Sequence, residues 1–140
     1  MSDLTDLLPH TGSLIRRAQQ RHAAQWARLV SSTITSVQFA ALAVLADTPG
    51  ASQRQLGDAL EIDRSTVADL AARLERHGLV AREQDAADRR RYVLRLTPVG
   101  RAELARLRPL ADAVEQAMTG ALTPSEVTAL RRLLHALLTA

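Results

Sequence analysis

Ser52 to Val80 reads SQRQLGDALEIDRSTVADLAARLERHGLV, and the interruption at its middle decides the fold. Leu56, Ala59 and Leu60 recur at helical spacing, so the first half predicts a short helix with one buried face. The pattern breaks at Glu61-Ile62 and restarts behind Asp63, a residue type whose carboxylate accepts an orphan amide of a new helix. Val67, Leu70, Ala71 and Leu74 then form a second apolar stripe, and His77-Gly78 supplies a glycine for a left-handed helix end. Two helices joined by so tight a turn read as a helix-turn-helix. The second helix leaves Arg64, Ser65, Thr66, Asp69 and Arg73 for solvent or a partner, and Arg54 stands in the first turn of the preceding one.

Downstream, Leu79 to Glu83 and Tyr92 to Leu96 are short β-compatible runs flanking a polar loop, which predicts a two-stranded hairpin. Its tip carries Asp88, Arg89, Arg90 and Arg91. A helix-turn-helix followed by a hairpin makes a winged helix. Such a hairpin reaches phosphates or the minor groove while the preceding helix lies in the major groove, and arginine suits a narrow, electronegative minor groove. A charged tip alone is also what a merely solvated turn displays. The wider charge distribution favours DNA. From Arg64 to Arg101 nine arginines face five acids, whereas residues 102–140 hold four of each. The net charge of +3 is thus focused on the same third of the chain, and a focused positive patch attracts polyanions.

Upstream, TGSLIRRAQQRHAAQWARLV (Thr11 to Val30) sets Ile15, Ala18, His22, Trp26 and Leu29 on one stripe, predicting a first helix of about 20 residues. Thr35 to Gln38 and Ser52 to Gln55 have the form of a capping box, DTPG at Asp47 to Gly50 supplies a turn, and Thr123-Pro124-Ser125-Glu126 opens a last helix. Leu104, Leu107, Ala111, Val114 and Met118 repeat at three- and four-residue steps, and Leu130, Leu133, Leu134, Leu137 and Leu138 add a broad apolar face. Such stripes are often intrachain core, but this many leucines near the end of the chain call for a second subunit as cover. Pro109 is expected to bend or break the helix that contains it. The predicted architecture is mainly α with a small β-hairpin, one domain over 1–140. Residues 35–97 form the winged helix-turn-helix lobe, and 1–34 with 98–140 the dimerisation helices.

Composition narrows the function. The chain has 46% apolar and 24% charged residues, as in a folded globular protein. Its eighteen basic side chains are all arginine, as codon bias alone would produce. Without cysteine it has no disulfide, thiolate zinc site or thiol redox sensor. No run approaches the length of a membrane span, which predicts a cytoplasmic protein with no membrane partner. Nucleophile elbows, HExxH and phosphate-binding glycine loops are missing, so an enzyme is not expected. His10 and His22 with nearby acids, Asp3 and Asp6 among them, are a weak metal set, and neither metal nor cofactor is expected. A winged helix used only for protein–protein contact is the competing class, although it has no need of three arginines at the wing.

Asp88-x-Arg90 followed by Leu96-Thr97 and Gly100, the stretch LGDALEIDRSTVADLAARLERHGLVAR, and ITSVQFAAL at the second helix together resemble the MarR family of dimeric winged-helix transcription factors, over nearly the whole chain. The resemblance implies that Arg90 enters the minor groove, that Asp88 positions it, and that Arg64, Ser65, Thr66 and Asp69 face base edges, with Arg89 and Arg91 at phosphates or solvent. It further implies a homodimer on a pseudo-palindromic duplex, most simply a repressor. On the first helix His10, Arg16 and His22 resemble the subgroup that senses aromatic carboxylates of the protocatechuate type, with Arg16 on the carboxylate and the histidines on ring hydroxyls. A core histidine and surface arginines would look the same in the sequence, so a regulator with another ligand or none stays open.

Overall fold

Three capping boxes fix where helices begin. Thr35, Ser52 and Thr123 accept the amides of Gln38, Gln55 and Glu126 at 3.1, 3.1 and 3.2 Å, and each of those side chains returns a bond from the capping residue's own amide. Orphan donors are thereby satisfied locally, before any tertiary contact forms. The computed structural model describes residues 10–140. In order come α1 (Thr11–Leu29), α2 (Ser36–Asp47), β1 (Ala51–Ser52), α3 (Gln53–Leu60), α4 (Arg64–Arg76), β2 (Val80–Gln84), β3 (Tyr92–Leu96), α5 (Pro98–Thr119) and α6 (Pro124–Leu138).

The hairpin becomes a three-stranded antiparallel sheet ordered β1-β3-β2, because Ala51 and Ser52 pair with Leu94 and Val93. Ser52 is already extended as the N-cap of α3 (φ −72°, ψ 162°), so one residue serves both as cap and as strand. A two-residue strand has no alternation for sequence reading to detect. Between α3 and α4 the chain turns through Glu61 in a left-handed conformation (φ 55°) and restarts at the Asp63 cap. Gly78 (φ +72°) ends the next helix and turns it into the wing, a conformation that costs other residues a steric penalty. One expectation for α3 fails. Leu56 is fully buried with Leu60 half-buried beside it, but Ala59 is exposed and Gly57 takes the inward place against Val67.

Leu42, Leu45, Leu56, Leu74, Leu94 and Leu107 are completely buried, so the core joins α2, the helix-turn-helix, the sheet and α5. Trp26 ties α1 into it. Its indole Nε1 donates to the Ile34 carbonyl at 2.7 Å, and its ring lies 5.4 Å from that of Phe39. Trp26→Phe keeps most of the apolar contact but leaves that carbonyl unpaired. The expected cost is about 1–3 kcal/mol, read from urea unfolding.

Pro109 neither ends nor interrupts α5, which runs on to Thr119. Pro109 and Ala105, the residue one turn earlier whose carbonyl loses its partner, are both exposed, so water can satisfy the group. The apolar stripe of α5 also lies differently from expectation. Leu104, Leu107 and Val114 are buried, with Ala111 and Met118 half-buried, and α5 packs on α1 and α2 of the same chain. That stripe is intrachain core. By contrast α6 has no buried residue, and Leu130, Leu133, Leu134, Leu137 and Leu138 are 40–68% exposed. Among the described residues no helix is long and apolar enough to cross a membrane.

Candidate nucleic-acid interface

The start of α4 is built around Asp63. Its Oδ1 accepts the amide of Thr66 at 2.7 Å and the hydroxyl of Ser65 at 2.9 Å. These bonds hold the Asp63 carboxyl below its ordinary pKa, the Thr66 amide contributing most. The cap rigidifies the first turn but occupies the Ser65 proton, leaving its oxygen as an acceptor. Arg64, Ser65, Thr66, Asp69 and Arg73 are all exposed, while Val67, Leu70, Ala71 and Leu74 bury the opposite side. Thr66, Asp69 and Arg73 stand three and four residues apart and so share one stripe. In a helix-turn-helix this is the helix that lies in the major groove.

The wing tip is an ordered turn. The Asp85 amide donates to the Arg91 carbonyl at 2.9 Å, and the Arg91 amide to the Asp88 carbonyl at 3.0 Å. Asp88 Oδ1 accepts both the amide (3.0 Å) and Nε (3.2 Å) of Arg90. Arg90 is therefore tethered at its base while its side chain stays 91% exposed. The same bonds, the side-chain one foremost, hold the Asp88 carboxyl below its ordinary pKa. Arg89 and Arg91 are exposed on either side, and among the described residues Arg89 has no acid tether of this kind. Arg54 is exposed at the start of α3 and lines a groove with Arg91. The same groove is lined by Arg82 and Tyr92, which sequence reading did not single out. The available signal was strand parity: Arg82 follows Val80 by two, so it stands on the helix-facing side of β2.

On α1 the three residues assigned to a ligand are not gathered. His10 is the exposed N-cap, and its side chain makes no capping bond. Arg16 is exposed as well. His22 is half-buried, 6.2 Å ring to ring from Trp26, and lines a mostly apolar groove of about 550 Å³. That groove runs between α1, the end of α5 and α6, and the ion pair of Arg131 with Glu115 spans it. Neither Arg16 nor His10 lines it in the single chain. Of the weak metal set, Asp3 and Asp6 lie outside the described residues.

A capped reading helix, a hairpin with a tethered arginine at its tip and a sheet that fixes their relation define a winged-helix DNA-binding regulator of transcription. Residues 32–91 match the MarR family. The chain is 38% identical to the transcriptional regulator HosA of Escherichia coli over 112 residues, 80% of this chain and 82% of HosA. Its structure superposes on that of the PcaV transcriptional regulator from Streptomyces coelicolor in complex with its natural ligand, with a TM-score of 0.91 and 36% identity, covering 100% of this chain and 97% of PcaV. It is also similar to Bordetella bronchiseptica BpsR, whose structure concerns regulation of DNA binding by 6-hydroxynicotinic acid (TM-score 0.90, 35% identity, 94% and 95% covered). The chain belongs to the MarR family of transcriptional regulators.

Proposed function

We propose that this protein is a cytoplasmic homodimeric repressor that leaves a pseudo-palindromic operator when a small aromatic carboxylate, such as protocatechuate or a hydroxybenzoate, binds beside α1. The observation that carries this reading is the open leucine face of α6 next to the groove holding His22. A 15-residue helix with five exposed leucines is marginal by itself in water. Among the described residues it is held to the rest of the chain by the Arg131–Glu115 ion pair and the groove beside α1 and α5, not by a buried face of its own. A second copy supplies the same face in equal amount, and a two-fold axis makes the contact self-complementary. The two reading heads then meet half-sites about one helical turn apart, roughly 34 Å. Leu134→Glu is expected to convert the dimer to monomer at micromolar concentration in sedimentation velocity, and a wild type that is already monomeric removes the dimer.

The ligand reading is supported by the likeness to BpsR, which responds to an acid with an aromatic ring, and to PcaV in its liganded form. Arg16 supplies the guanidinium for the carboxylate, and the histidines hydrogen-bond ring hydroxyls. Release requires that the ligand favour the arrangement that does not bind DNA, since equal affinity for both shifts nothing. The test is calorimetric titration of protocatechuate, 4-hydroxybenzoate and benzoate into wild type and Arg16→Ala. Loss of a charge-assisted pair is expected to weaken binding by about 1.5–3 kcal/mol, roughly ten- to hundredfold, with operator affinity retained. If wild type binds none of the three, or the variant binds as well, Arg16 is a surface arginine and the aromatic-acid reading falls.

A further inference from the structure

The sugar–phosphate ridge is what separates the major from the minor groove, so a protein with a helix in one and a wing in the next must carry that ridge across the surface between them. Here that surface is an open groove of about 730 Å³ between the start of α3 and the wing. Three arginines, Arg54, Arg82 and Arg91, line it with Tyr92, against one carboxylate, Asp58. Register explains the two strand residues. Arg82 opposes Leu94 and Gln84 opposes Tyr92, and directly opposed residues share a sheet face. Arg82 and Tyr92 therefore continue the helix-facing side of the wing outward past the buried Leu94.

Arg82 stands where three elements meet. Its Nη2 donates to Gln53 Oε1 of α3 at 3.1 Å, and its Nε lies 3.5 Å from Glu75 Oε2 of α4. Its side chain is 37% exposed, against 91% for Arg90. It is thus held in place, needing less ordering to grip a phosphate than an arginine at the wing tip.

We propose that this groove seats the operator backbone, with Arg82 as its central phosphate ligand, Arg54 and Arg91 flanking it, and the Tyr92 hydroxyl donating to a phosphate oxygen. The assignment rests on the docking reading in which α4 enters the major groove and Arg90 the minor groove. Glu75 competes with phosphate for the Arg82 guanidinium and places a negative charge beside the DNA, so it restrains binding. Phosphate contacts carry no base information, so the groove contributes equally on any sequence.

The experiment measures fluorescence-anisotropy affinities between 50 and 200 mM salt. The duplexes are one selected from random sequence by wild-type protein and a scrambled version of it. Arg82→Gln is expected to weaken both by a similar factor, roughly three- to tenfold, and to flatten the slope of log K against log salt by about one. Arg91→Gln, which breaks no bridge between elements, flattens it in the same way, and Glu75→Gln tightens binding. Arg90→Ala is the control for the docking reading: if it leaves affinity unchanged, that reading fails. If Arg90→Ala weakens binding while Arg82→Gln and Arg91→Gln keep the wild-type slope, the backbone does not lie in this groove. If Arg82→Gln and Glu75→Gln both weaken binding and both lower the melting temperature, Arg82 is a structural bridge and the proposal is overturned.

Discussion

Arg90→Ala is expected to cost more operator affinity than Arg89→Ala or Arg91→Ala, by roughly ten- to hundredfold, on the order of 1–3 kcal/mol for one well-placed groove contact. The three arginines are adjacent in sequence and all exposed, so charge alone predicts equal losses. Geometry separates them. Among the described residues only Arg90 of the three has its base held by a carboxylate, Asp88 taking both its amide and its Nε. That tether fixes where the side chain leaves the wing and reduces the entropy lost when it enters a groove. Asp88→Ala should therefore reproduce part of the Arg90→Ala loss. The tether also has a pH signature. Because the Asp88 carboxyl is held below its ordinary pKa, it stays ionised at neutral pH and releases Arg90 only as pH falls through that lowered value. Anisotropy with the three alanine variants decides the matter: three equal losses mean a diffuse electrostatic contact instead of an aimed side chain.

What could be read from the sequence and what could not divide along a physical line. Capping boxes at Thr35, Ser52 and Thr123, the Asp63 cap and the left-handed Gly78 are satisfied by atoms three or four residues away, so they are visible in the sequence. The reading helix and wing follow from them. Features set by distant partners were not visible. β1 exists only because β3 passes beside it, and Ala59 faces out because α4 approaches α3 at Gly57. Whether the α5 stripe or the α6 stripe met its own chain depended on where α1 packs. The groove joining Arg54, Arg82 and Arg91 gathers residues up to 37 positions apart, which no local pattern marks. The α1 residues His10, Arg16 and His22 share one helix in the sequence, but among the described residues they do not line one groove.

Gly100→Ala is expected to destabilise the fold by about 3 kcal/mol or more, although the substitution adds only one methyl group in the first turn of α5, and alanine is by itself the better helix former. A Cβ at position 100 would lie 2.0 Å from the Leu79 carbonyl oxygen and 2.9 Å from its carbon. These are backbone atoms, and they cannot swing aside as a side chain can. The Leu79 carbonyl also accepts the Thr97 amide at 3.1 Å, and the Thr97 hydroxyl donates to the Gly78 carbonyl. The start of α5 is thus bolted to the turn that launches the wing. Making room for the methyl means prising that joint apart and losing both bonds. Because α5 leads from the winged lobe toward α6, the shift would also alter how the lobe is carried, so operator affinity should drop even at temperatures where the variant is folded. Gly12→Ala is the matched control, since among the described residues nothing lies within 4 Å of its Cβ position and it too sits in the first turn of a helix. It should be neutral or slightly stabilising. Urea unfolding of both variants checks the argument: if Gly100→Ala matches Gly12→Ala within about 0.5 kcal/mol, the close approach at Leu79 does not exist in solution.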